Sequence, residues 1–274
     1  MDAETEYNNR ARVPEHPAII ARWLQDAAAF RAANPPETLA YGPGAREAMD
    51  LFLPQGVVRP PVAMFFHGGY WQALDRSALS HVAAGLLAQG VAVALPSYDL
   101  CPTVPLARIC TQAEAAARTL HARMGVPMLA SGHSAGGHLA AWLLARLPAD
   151  LVAAALPISG LFWLEPLLGT SINTALGLDA AAARALSPAL LPSPQRPLLA
   201  AVGGAESTEF LRQSRAFAEL WGGRFEALPG LNHFTVLDPL SEAHHPLTIA
   251  AAALARGARD SVLARGRDDR LSNI

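Results

Sequence analysis

The sequence predicts an α/β fold: a mostly parallel central sheet flanked by helices, in a single domain with an N-terminal extension. Three observations predict it. Short apolar runs alternate with longer segments of helical period along most of the chain. Hydrophobic residues make up 51% and charged residues 16% of 274 residues, enough apolar side chains for one large core. No repeat period or low-complexity block interrupts the pattern beyond a general alanine bias. At about 150 residues per domain the length allows one to two domains, and one large α/β unit accommodates it.

Taken in order, residues 1–54 read as an N-terminal extension of the same domain, with a helix over 19–33, a loop, and an edge strand near 48–53. The core, 55–258, carries strand candidates at 62–66, 91–96, 127–131, 151–158, 197–202 and 224–228. Helical segments at 77–88, 106–124, 135–147, 208–221 and 249–258 separate or follow them. In the fourth of these, Phe210, Leu211, Phe217 and Leu220 recur near the helical period, and Ser207 stands ready as its cap. Residues 162–191 suggest a helical insertion after the strand ending at Ile158. Residues 259–274, rich in arginine and aspartate, read as a polar tail, either a frayed helix end or disordered.

Composition excludes several chemistries. The net charge of −2 argues against nucleic acid or an acidic membrane as a partner. All 21 basic residues are arginine, so a Walker P-loop, a protein-kinase site and a pyridoxal-phosphate Schiff base, each of which needs lysine, are ruled out. Cys101 and Cys110 are too few for a disulfide framework or a four-cysteine zinc site. No HExxH or comparable cluster points to a metal, so neither metal nor cofactor is expected. The acidic start lacks a signal-peptide pattern, and the longest apolar stretch, around 151–164, is broken by Pro157, Ser159 and Gly160. A soluble, cytoplasmic protein is the expectation.

Gly132-His133-Ser134-Ala135-Gly136 matches the G-x-S-x-G nucleophile elbow, in which a strained strand-to-helix turn presents the serine. A strand candidate precedes it, and a helix with Leu139, Trp142, Leu143 and Leu147 at helical spacing follows. His67-Gly68-Gly69-Tyr70-Trp71 directly follows the strand at 62–66. In α/β-hydrolases an HGG loop in this place supplies backbone N–H groups to an oxyanion hole. Gly68, Gly69 and Ala135, the residue after the nucleophile, are the candidate donors. HGG alone does not exclude a tight turn after a strand, nor GxSxG a glycine-rich turn with an incidental serine, but the two in this order and context favour the functional reading.

The base and the acid must come from later loops. His233 follows the last strand candidate, and its ordinary pKa near neutrality suits a group that takes and returns one proton. His244 and His245, at or near the start of the final helix, read as surface residues. Glu206 follows the strand at 197–202 and fits the acid that orients the imidazole. The bland alternative is that its charge merely favours the N-terminus of the next helix. Asp238 is its competitor, although it lies after His233 in the chain. Tyr70 and Trp71 read either as an aromatic wall for a substrate or as core packing. Both cysteines read as ordinary buried thiols.

With these residues in place, a resemblance emerges. His67-Gly68-Gly69-Tyr70-Trp71-Gln72 and the run from Gly132 to Ala140 resemble the arylformamidase (kynurenine formamidase) branch of the α/β-hydrolases. So do Tyr7-Asn8-Asn9, Tyr41-Gly42-Pro43-Gly44, Tyr98-Asp99-Leu100-Cys101-Pro102, the stretch from Glu209 to Ser214, and Asn232-His233-Phe234. The resemblance implies Ser134 as nucleophile, Glu206 in the acid position and His233 as base. Glu206 is a departure, because the animal enzymes usually carry aspartate there. The implied reaction is cleavage of a formyl-type acyl group from an aryl amide such as N-formyl-kynurenine, through an acyl-enzyme. The alternatives are a general carboxylesterase on short acyl esters and a non-catalytic binding module with a hydrolase fold. Expected partners are a small acyl amide or ester substrate and a second copy of the chain, with no nucleic acid and no membrane.

Overall fold

A computed structural model of the chain describes residues 2–271, with side chains described through residue 260. Its strands are β1 (Glu37–Ala40), β2 (Ala48–Phe52), β3 (Val62–Phe66), β4 (Ala92–Pro96), β5 (Met128–His133), β6 (Val152–Ile158), β7 (Leu199–Gly203) and β8 (Arg224–Leu228). Its helices are α1 (Ala3–Tyr7), α2 (Asn9–Arg12), α3 (His16–Ala33), α4 (Ala84–Ala88), α5 (Leu106–Met124), α6 (Ala135–Arg146), α7 (Asn173–Leu176), α8 (Ala180–Ala185), α9 (Thr208–Leu220) and α10 (Pro246–Leu271).

The strands form one 8-stranded sheet in the order β1-β2-β4-β3-β5-β6-β7-β8. Pairing is antiparallel for β1 with β2 and β2 with β4, and parallel from β4 to β8. The central strands are apolar and small-residued on both faces, as parallel strands covered by helices must be. Alternate residues of β3 show the division: Val62, Met64 and Phe66 join one core cluster, with residues of α5, α6 and α9. Ala63 and Phe65 join the other, with residues of α3, α4 and α10.

The register brings the strand ends to a common level. Phe66 pairs with Gly132, His133 with Ile158, Ile158 with Ala201, and Gly203 with Leu228. The loops after β3, β5, β7 and β8 therefore open on one edge of the sheet, where open α/β sheets place their ligands.

The six core strand candidates and the edge strand appear within two residues of their expected limits. β1 was expected as loop; its four residues are mostly exposed and carry no alternating pattern, and it is held as an edge strand by pairing with β2. The helix expected over 77–88 starts later, as a 3₁₀ turn at Ser80–Ala83 leading into α4. The insertion after β6 consists of α7, α8 and 3₁₀ turns at Glu165–Gly169 and Pro188–Leu190. The segment read as a polar tail, a frayed helix end or disordered, begins inside α10, which continues past Ala258 to Leu271; arginine, alanine and leucine are good helix formers and outweigh the glycine at 257. Residues 272–274 of that tail, and its side chains beyond 260, lie outside the described residues. No described helix is long and apolar enough to cross a membrane.

Candidate active site

β5 ends at His133 and α6 begins at Ala135, leaving Ser134 alone in the turn at φ 55°, ψ −115°. A non-glycine residue in such a conformation costs of order 1–3 kcal/mol and persists only when its surroundings dictate it. Here they do. The Ser134 N–H donates to the Ile158 carbonyl at 2.8 Å. A Cβ on Gly132 would lie 2.4 Å from the Gly136 carbonyl oxygen, and one on Gly136 only 2.0 Å from that of Phe66. The two glycines thus let strand, turn and helix pass closely enough to force the serine outward.

Glu206 lies in the turn between β7 and α9, and His233 in the loop after β8. His233 Nδ1–H donates to Glu206 Oε2 at 2.6 Å, with both side chains almost wholly enclosed. The other carboxylate oxygen, Oε1, accepts from the Ser159 hydroxyl at 2.5 Å and the Gly203 N–H at 2.7 Å. Phe210 packs its ring 4.7 Å from the His233 imidazole. His133 adds a further hold: its Nε2–H donates to the His233 carbonyl at 2.8 Å, ring against ring at 4.6 Å. Burial, and then the neighbouring His233, hold His133 well below the usual histidine range, so it stays a neutral donor.

The HGG loop closes over the elbow. A Cβ on Gly68 would stand 3.2 Å from Ser134 Cβ, which measures how near the loop runs to the serine. Gly69 takes φ +99°, with the Ala73 carbonyl oxygen 2.7 Å from where its Cβ would be. Tyr70 and Trp71 follow at φ 51° and 56°. Arg46 pins the loop and its neighbour by donating to the Leu74 and Tyr98 carbonyls, each at 2.6 Å. Among the described residues, the N–H groups of Gly68, Gly69 and Ala135 donate to no main-chain or side-chain acceptor. Ala135 is also the first residue of α6, where the helix dipole favours negative charge.

Ser134 and His233 share a cavity of about 590 Å³, whose walls include Gly69, Tyr70, Trp23 and Phe234. Trp71 is not among them: it is fully buried, with its ring edge-on to His138 at 5.0 Å, so it belongs to the core. Asp238 stands apart from the imidazole, in a partly exposed ion pair with Arg22 at 2.8 Å. His244 is exposed and His245 half-buried just before α10. Cys101 and Cys110 are buried thiols, the former pushed up to about 11 by burial. The described residues contain no cluster of three or more metal-ligating side chains.

The N-terminal extension contributes more than sequence reasoning expected. Glu4, Tyr7, Asn8 and Asn9 line the same cavity. Tyr70 donates from its hydroxyl to the Tyr7 carbonyl at 2.6 Å and accepts from Asn9 Nδ2 at 3.3 Å. The Tyr7 hydroxyl donates to Glu209 on α9 at 2.9 Å. The signal was there in Tyr7-Asn8-Asn9, but such short helices, capped by Asp2 and Asn8, carry no apolar period that would announce them.

The order of the four loops and the geometry at Ser134 agree with the comparison of this chain with known proteins. Residues 63–202, more than half of the chain, match the family described as the α/β hydrolase fold. The chain belongs to that family. The α/β hydrolase of this chain is 28% identical to the kynurenine formamidase of Salmo salar over 228 residues, covering 76% of this chain and 78% of the relative. It is 28% identical to that of Drosophila melanogaster over 225 residues, 73% of this chain and 75% of the relative. A crystal structure from Silicibacter sp. TM1040, provisionally described as a thioesterase, superposes with a TM-score of 0.85 at 36% identity. That match covers 91% of this chain and 98% of the other. The chain is thus an arylformamidase-like α/β hydrolase, an enzyme of the hydrolase class.

Proposed function

We propose that this hydrolase cleaves a small acyl group, a formyl group first of all, from an aryl amide such as N-formyl-kynurenine. The observation that carries the reading is the convergence of Ser134, on its strained turn, and of His233, bonded to Glu206 at 2.6 Å, on one cavity. Because Nδ1 of His233 carries the proton given to Glu206, Nε2 is the nitrogen left to act as base. Ser134 Oγ attacks the acyl carbon while His233 Nε2 takes its proton. The N–H groups of Gly68 or Gly69 and of Ala135 stabilise the oxyanion, each such donor typically contributing about a hundredfold to a thousandfold in rate. The C–N bond breaks as His233 returns the proton to the departing amine. Water then attacks the acyl-serine and gives one proton to His233, which passes it to Ser134 Oγ as the acyl–oxygen bond breaks; formic acid leaves and ionises to formate in solution.

Tyr70, Trp23 and Phe234 in the cavity wall support an aryl leaving group. The 36% identity to the provisional thioesterase favours a second reading, the same acyl transfer from a sulfur or oxygen leaving group. The test compares kcat/KM for N-formyl-kynurenine, p-nitrophenyl acetate and butyrate, and a short acyl thioester. A preference of at least about a hundredfold for the formamide is the expected outcome, and a preference for either other class overturns it. Labelling by a fluorophosphonate probe, lost in Ser134→Ala, separates an enzyme from a binding module.

A further inference from the structure

The residue after β6 is Ser159, and its surroundings are unusual for a serine outside any motif. It is fully buried and sits at φ 51°, in the left-handed region. A serine is held there at a cost that glycine would not incur. Its N–H donates to the Ala201 carbonyl at 2.8 Å, and the preceding carbonyl, that of Ile158, accepts from the Ser134 N–H at 2.8 Å. Two consecutive residues at the end of β6 therefore meet the nucleophile turn on one side and the acid on the other.

The hydroxyl makes the decisive contact. Ser159 Oγ donates to Glu206 Oε1 at 2.5 Å, and the Gly203 N–H donates to the same oxygen at 2.7 Å. Oε2 is left to the imidazole at 2.6 Å. A glutamate has one more rotatable bond than an aspartate, and hence more orientations in which its carboxylate misses the ring. Two donors converging on Oε1 remove that freedom. The Gly203 N–H alone fixes a distance; the second donor, from a different strand, fixes the plane of the carboxylate.

We propose that Ser159 is a positioning residue for the reaction, locking Glu206 so that the longer acid presents Oε2 to His233. The proposal rests on the assignment of Glu206 and His233 as acid and base. It accounts for a non-glycine residue at this φ: the side chain is kept for its hydroxyl.

The test is a pair of variants in two backgrounds. Ser159→Gly deletes the hydroxyl while relieving the backbone, so it leaves the melting temperature unchanged or raised; Ser159→Ala deletes the hydroxyl but keeps the Cβ. Both are expected to lower kcat by about tenfold to a hundredfold, the range for losing a hydrogen bond to a charged group, with KM within about twofold. In a Glu206→Gln background the same substitutions are expected to change kcat by less than about twofold, because the group they position is already gone. Full activity in Ser159→Gly overturns the proposal, as does a loss in the Glu206→Gln background as large as in the wild type. A silent Glu206→Gln would instead remove the acid assignment itself, so the two failures are distinct.

Discussion

The Tyr70 hydroxyl reaches across 63 residues of sequence to donate a 2.6 Å hydrogen bond to the Tyr7 carbonyl, joining the HGG loop to α1. Burial holds the Tyr70 phenol well above its usual range, so it remains a donor at any working pH. One wall of the cavity is thereby tied to the loop that is proposed to bind the oxyanion.

Removing that hydroxyl in Tyr70→Phe leaves the ring but frees the extension from the loop. A net hydrogen bond of about 1 kcal/mol predicts a fivefold to tenfold loss in kcat/KM and a fall in melting temperature of a few degrees. Unchanged steady-state kinetics would show that the tie does not shape the site.

Ser134→Ala is expected to lower kcat by about three orders of magnitude or more, while urea unfolding stays within about 1 kcal/mol of wild type. Near-normal turnover, measured on any acyl substrate, removes Ser134 as nucleophile.

The two acid candidates separate cleanly. Glu206→Gln is expected to cost roughly 10⁴ in kcat, by analogy with triads whose acid sets the tautomer. Asp238→Asn breaks only a partly exposed pair with Arg22 and is expected to change stability by under about 1 kcal/mol and rate hardly at all. The reverse pattern in kcat transfers the role to Asp238.

Stability should fall as the solution is acidified. His67 and His138 are enclosed, and burial pushes each down to about 4, whereas an unfolded histidine titrates near 6.5. Between those values the unfolded chain binds more protons than the folded one. The contribution is therefore complete above about pH 6.5 and is lost as pH drops towards about 4. Urea titrations at pH 7, 6, 5 and 4.5 check the slope, and His138→Gln should flatten it; an equal slope in the variant argues against His138 as a source.

Asp50 anchors the edge of the sheet. Its carboxylate is fully buried and accepts from Arg31 at 2.5 Å, Arg76 at 3.1 Å and Thr38 at 2.8 Å. Asp50→Ala strands these partners and is expected to cost about 3 kcal/mol in urea unfolding; a loss under about 1 kcal/mol would mean water replaces the carboxylate.

Strands β3 to β7 were legible because each is a largely apolar run bounded by turn residues, β8 because Phe225 and Leu228 follow a glycine pair and precede Pro229-Gly230, and α5 and α9 because their apolar residues keep a helical period. The triad candidates were legible because strained turns and close approaches restrict residue types, leaving Gly132, Ser134 and Gly136 as a pattern. What escaped was set by contact at long range. Ser159 is one serine in an apolar stretch, and only the folded sheet puts it on Glu206. Trp71 was ambiguous between wall and core because sequence does not tell which way a ring points at the end of a run of three residues at positive φ. β1 and the short helices of the extension lack any period of their own, and take their form from what they pack on.

The seating of α1 and α2 against the HGG loop has a practical reach. Part of the cavity wall, Glu4, Tyr7, Asn8, Asn9 and Arg10, comes from a segment separate in sequence from every residue proposed to make or break bonds. Grafting the first dozen residues of one relative onto another should therefore reassign preference among acyl donors while leaving the chemical step intact, an economical route to altered selectivity.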